Sequence, residues 1–219
     1  MNNDTPHTRL HDGWLLDAAS GAVPAAVRVL AACHGALNSE AGRTLGAAES
    51  AFGAMLEAAP RAALRPGALD AVMSRLGEPE PVEPETGFSQ FPCPLTRALA
   101  ACRNPRWKRK LGGYSEIVLD SLKEPGVHAR LLSIPSGKGA PEHDHEGDEL
   151  TLVISGAFTD GARRYGRGDV CVAGPGAAHR PRVEDPETCV CFVVELGALR
   201  PTDPVLAAAD RLMGGRLMQ

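Results

Sequence analysis

His143 and His145 are separated by one residue, and Glu149 follows four positions after the second, at the start of the apolar run "ELTLVISGAF". Residues two apart on an extended strand point to the same face, so both imidazoles look one way and the carboxylate arrives from the strand that follows. A further histidine, His179, comes after "YGRGDVCVAGPGAA", where Gly168-Asp169 reads as a turn into a short strand and Gly174-Pro175-Gly176 as the turn out of it. Neutral imidazoles and a carboxylate suit one divalent metal, zinc first, with manganese, iron and nickel left open by the spacing. The bland alternative is a His-x-His pair in a solvated loop, which the glycines framing the pair argue against. Each histidine must be neutral to bind, so acid should weaken such a site.

Three cysteines lie in the same region. Cys189 and Cys191 in "TCVCFVV" alternate along one strand and share a face, while Cys171 lies on another strand. If that face looks inward, thiols beside a metal are candidates for redox sensing by oxidation or ligand exchange. Small apolar fillers are the alternative, since free cysteine is among the most commonly buried residues. An open metal also suits an enzyme such as a dioxygenase. Arg130, Glu142 and Tyr165 are the only supporting groups to suggest themselves, and no general base is identifiable.

The elements that must position these residues divide the chain of 219 residues into unlike parts. Residues 10–76 read as Ala-rich helices. In the first, Asp12 is the candidate N-cap and Gly21 follows the helix end, and Pro24 opens the next. Apolar stripes follow at helical spacing: Val23, Val27, Leu30, His34 and Leu37; then Leu45, Ala48, Phe52, Met55 and Ala59; then Leu69, Val72, Met73 and Leu76. Such short helices either pack into a minimal bundle or keep part of their apolar surface for a partner. "GEPEPVEPETGFSQFPCP" cannot continue a helix. Beyond it come short Val/Ile/Leu runs between Gly-rich turns, the pattern of strands. The expected fold is α+β: a helical unit over 1–77, a Pro-rich linker and lead-in over 78–106, and a β domain over 107–219 that ends in an amphipathic helix. "RNPRWKRK" reads as a solvated turn before the first strand.

Composition narrows the function. A net charge of −4 speaks against general nucleic-acid binding. Neither a cationic leader with an apolar core nor a run of about eighteen apolar residues is present, so no membrane contact and a cytoplasmic location are expected. The six scattered cysteines are then thiols rather than a disulfide frame.

From Gly137 through His143, His145 and Glu149 to Gly156, the spacing resembles the first cupin motif position by position, and Gly168, Gly176 and His179 resemble the second. Two positions depart from the second motif: Pro175 stands one place off the usual proline, and Val183 replaces the usual asparagine. The resemblance covers about residues 107–200 and implies a small double-stranded β-barrel with His143, His145, Glu149 and His179 as metal ligands. With "LLDAASGAVP", "WKRKLGGYSEIVL" and "HEGDELTLVISGAFTD" added, nearly the whole chain is similar to the ChrR-type anti-sigma factors. That resemblance implies a regulator rather than an enzyme: the helical unit sequesters an extracytoplasmic-function (ECF) sigma factor, and the cupin domain releases it under oxidative stress. Zinc-binding members of that family carry a histidine and two cysteines on the second helix. Here "CHGALNSEA" keeps His34, a vestigial zinc position, but puts Asn38 and Ala41 where the cysteines belong. His7 and His11 are candidate remnants of an earlier ligand, and Cys33 a candidate shifted one. The helical unit is therefore expected to hold no zinc.

Overall fold

The computed structural model describes residues 9–78, 88–110, 112–140 and 142–202. Five helices come first: α1 (Asp12–Ser20), α2 (Ala25–Leu37), α3 (Ser39–Glu57), α4 (Ala68–Arg75) and α5 (Cys93–Ala100). Asp12 is the first residue of α1 rather than its cap. His11 takes that place, its Nδ1 accepting the Gly13 N–H at 3.1 Å, and Asp12 sits in the first turn, where a carboxylate favours the helix dipole. Pro24 immediately precedes α2. Asn38 closes α2 and caps α3, with Oδ1 accepting from Glu40 and Ala41 N–H at 3.1 Å each.

α5 lies inside the stretch read as linker and lead-in, which therefore is not all connector. Its Leu95 and Leu99 are fully buried, and it packs on α2. Prolines at 92 and 94 hid it: they forbid a helix interior but are tolerated at a helix start, where the missing N–H has no partner to lose. The amphipathic helix expected at the C-terminus lies outside the described residues.

Strands β1 (Lys108–Arg109), β2 (Ser115–Val118), β3 (Val127–Ile134), β4 (His143–His145) and β5 (Glu149–Ser155) follow, then β6 (Ala157–Asp160), β7 (Arg163–Gly166), β8 (Val170–Ala173), β9 (Cys189–Leu196) and β10 (Leu199–Pro201). The main sheet is antiparallel in the order β1-β2-β3-β9-β5-β8, and β4–β10 and β6–β7 form a second layer tied together by bridges at His143–His179 and Thr159–Arg182.

Alternation along β5 and β9 explains their unbroken apolar character. Leu150, Leu152, Phe192 and Val194 face the helices and join Leu15, Leu30 and Leu95 in one core cluster. Val153, Cys189, Cys191 and Val193 face the other way and fill the space between the sheets with Phe158 and Val183. A sheet covered on both faces reads as a continuous hydrophobic run. The helices are seated on the barrel at α2 as well, where the Ala25 N–H donates to Glu124 Oε1 at 2.7 Å, satisfying an orphan donor at the helix start.

The other side of the helical unit is bare. Met55 and Leu56 at the end of α3 are 68 and 77 % exposed, and Leu69, Val72, Met73 and Leu76 along α4 are 57 to 70 % exposed. Of the two packing alternatives for these helices, the structure thus adopts the one that leaves apolar surface uncovered. Among the described residues, no single helix is long and apolar enough to cross a membrane.

Candidate metal centre

β4 directs His143 and His145 into the space between the sheets, where both are buried. The chain must then turn within three residues to bring Glu149, the first residue of β5, alongside them. Gly147 permits this: a Cβ there would fall 1.7 Å from the Leu196 carbonyl oxygen. His179 is locked opposite His143 by a reciprocal backbone pair, with N–H to O distances of 3.1 and 3.0 Å.

The result is a set of four ligand atoms, from His143, His145, Glu149 and His179, all within 4.8 Å of one another. The His179 Nε2 lies 2.9 Å from the His145 Nε2 and 3.1 Å from the His143 Nε2, and all three stand 3.8 to 3.9 Å from an oxygen of Glu149. Metal–imidazole bonds of about 2.1 Å at right angles would separate two nitrogens by roughly 3.0 Å, so this donor set fits a divalent ion. Asp160 Oδ2 sits 2.9 Å from His179 Nδ1, which holds the proton on that nitrogen and leaves the Nε2 lone pair facing the other ligands. Thr151 Oγ1 donates to Glu149 Oε1 at 3.0 Å, orienting the carboxylate. Burial alone would push the Glu149 carboxyl up. The three imidazoles around it outweigh burial and hold the group down at about 2. Burial also lowers His145, which favours the neutral, ligating form.

The four residues singled out by spacing thus come together, and His143, Glu149 and His179 line a cavity of about 100 Å³ with Leu132, Phe158, Cys171 and Cys191. Cys189 and Cys191 are fully buried on one face with their sulfurs 3.4 Å apart. Burial pushes Cys171 up to about 11, and the neighbouring Cys189 thiol together with burial drives Cys191 well up, so both are thiols rather than thiolates at neutral pH. Of the groups weighed for catalysis, Arg130 is engaged in a buried pair with Glu195 and faces Glu116 at 3.9 Å. Glu142 is exposed, and Tyr165 is buried and stacked on Phe158. Sequence reasoning missed Asp160 and Thr151. Thr151 was within reach, two residues from Glu149 on the same strand face, whereas nothing in the sequence links Asp160 to His179.

The helical position with zinc-ligand spacing is built differently. His34 is fully buried, its Nε2 accepting the Leu10 N–H at 3.3 Å and its Nδ1 2.9 Å from the Gly168 carbonyl oxygen. Asn38 is occupied as a helix cap, Ala41 is core, and His11 caps α1. Cys33 is buried against α5, and burial pushes its thiol up to about 12. His7 lies outside the described residues. Among the described residues, the barrel cluster is the one group whose ligand atoms converge.

Comparison with known proteins agrees with this layout. A family profile described as the ChrR cupin-like domain (Cupin_7) matches residues 95–199. The chain is 32 % identical over 192 residues to the anti-sigma-E factor ChrR of Cereibacter sphaeroides, covering 86 % of this chain and 89 % of that one. It is similar to the structure of Rhodobacter sphaeroides SigE in complex with the anti-sigma ChrR, with 32 % identity and a TM-score of 0.71 over 87 % of this chain and 98 % of that one. A putative acetylacetone dioxygenase from Methylibium petroleiphilum matches 46 % of this chain and 77 % of its own at 18 % identity and a TM-score of 0.41, too distant to bear on function.

Proposed function

The chain belongs to the ChrR family of anti-sigma factors, not to a family of enzymes, and we propose that it sequesters an ECF sigma factor through the helical unit, residues 1–77, and releases it when the cupin domain senses oxidative stress. The observation that carries the first half is the bare apolar face of α3 and α4, set beside the sigma complex formed by the relative of known structure. Among the described residues α4 buries none of its own side chains, which leaves its stripe open to a partner. A sigma factor that is covered there cannot engage RNA polymerase. The site of action is the cytoplasm, and no direct contact with nucleic acid is needed.

His143, His145, Glu149 and His179 hold one divalent metal, zinc by preference and manganese, iron or nickel by the same donor set. When bound, the ion supplies a cross-link between the two sheets and a charge that lowers the pKa of neighbouring thiols. This chain's residues do the rest: Asp160 fixes the His179 tautomer, Thr151 aims Glu149, and Cys189 and Cys191 form the redox-sensing pair beside the cavity. The sensory half rests on their 3.4 Å separation and on Cys191 lining the same cavity as the metal ligands.

The test is transcription in vitro from a promoter read by the cognate sigma factor. Adding the full chain in equal amount is expected to silence the promoter, and treatment with an oxidant to restore it, with a Cys189→Ser/Cys191→Ser chain silencing but not releasing. Undiminished transcription overturns sequestration, and release from the double-serine chain overturns the cysteine assignment.

A further inference from the structure

One buried titratable group serves neither the metal centre nor the bare helical face. His34 has backbone on both sides of its ring: the Leu10 N–H reaches Nε2 from the segment before α1, and the Gly168 carbonyl reaches Nδ1 from the turn between β7 and β8, 134 residues away. An amide N–H can only donate and a carbonyl can only accept, so this pair selects the neutral ring with its proton on Nδ1. The turn is pressed against the end of α2: Gly168 has φ +88°, and a Cβ there would lie 3.1 Å from the Leu37 carbonyl oxygen. Leu30 and Ala31 of α2, the helix that carries His34, share one core with Leu152 and Val170 of the barrel.

We propose that His34 is an acid-sensitive latch that seats the helical unit on the cupin barrel. A second proton on Nε2 would point at the Leu10 N–H, with no acceptor to take it, so the charged ring must leave the seam. The charges that face it are Arg9, which opposes the proton, and Asp169, which favours it. Burial outweighs both hydrogen bonding and these charges and holds the ring below its ordinary range. Because the unseated ring takes up a proton near its ordinary pKa of about 6.5 while the seated ring does so only at lower pH, the seat is at full strength above about 6.5. Below that it weakens by up to tenfold per pH unit, until the seated ring itself protonates. The coupling between the two parts of the molecule thereby responds to pH independently of the metal.

Amide hydrogen exchange of the full chain, corrected for intrinsic rates, tests this at residues 27–37 and 166–170. The opening equilibrium is expected to rise by up to tenfold from pH 6.5 to pH 5.5. In His34→Gln, whose amide can accept from Leu10 and donate to Gly168 without titrating, it is expected to stay flat, with metal content following the same pH curve in both proteins. Equal acid sensitivity in the two proteins, or none in the unaltered chain, overturns the latch. Nitrogen NMR of His34 in the unaltered chain reads the same point without a variant: the proton on Nδ1 and a titration midpoint lower than an ordinary histidine's are expected, and a proton on Nε2 or a midpoint that is not lowered contradicts it.

Discussion

The carboxylate of Glu149 is an anion locked among three imidazoles, and Asp160 adds a second negative charge behind His179. Such a group is balanced by a cation, which makes metal content the natural readout at this scale. Glu149→Gln or His145→Ala should drop the metal from one per chain to a small fraction. Asp160→Asn, which touches no ion, should cost about 10- to 100-fold in affinity by freeing the His179 ring. Acid adds a third check. Protons compete with the ion for the imidazole nitrogens, so retention in a competing chelator should be full at pH 8 and fall as acid is added; a flat curve from pH 8 down to pH 4 contradicts the ligand assignment. The convergence of His143, His145, Glu149 and His179 was legible because strand period and turn glycines write themselves into spacing. Asp160 was not, because its approach to His179 depends on where the β6–β7 hairpin folds over the main sheet, which no local pattern encodes.

The helices carry the second set of consequences. Amphipathic stripes located α2, α3 and α4 correctly, yet a stripe alone does not say what covers it. That of α2 is buried against the barrel, and that of α4 faces solvent. Leu30→Ala, removing side-chain volume from a fully buried site, should destabilise the chain by about 2–5 kcal/mol in chemical denaturation. Val72→Asp with Met73→Asp, on the bare face, should move stability by no more than about 0.5 kcal/mol per site. The same pair should weaken sigma binding by at least about thirtyfold, the equivalent of one hot spot. α5 shows the limit in the other direction: its prolines argued locally for a connector, and the burial that decides otherwise is tertiary, against α2.

At the scale of the molecule, composition divided the chain cleanly into a helical and a β part, but the core ignores that division, running from Leu15 through Leu30 to Phe192 without a break. The barrel and the helices are one packed body at α2, while the uncovered apolar surface lies on α3 and α4. The most direct test of the account is affinity isolation of the tagged full-length protein from its native cells, with the Val72→Asp/Met73→Asp chain in parallel. Recovery of an ECF sigma factor in near-equal amount with the unaltered chain, and its loss with the variant, is the predicted result. Absence of a sigma factor from the unaltered chain, or equal recovery with both, would contradict it.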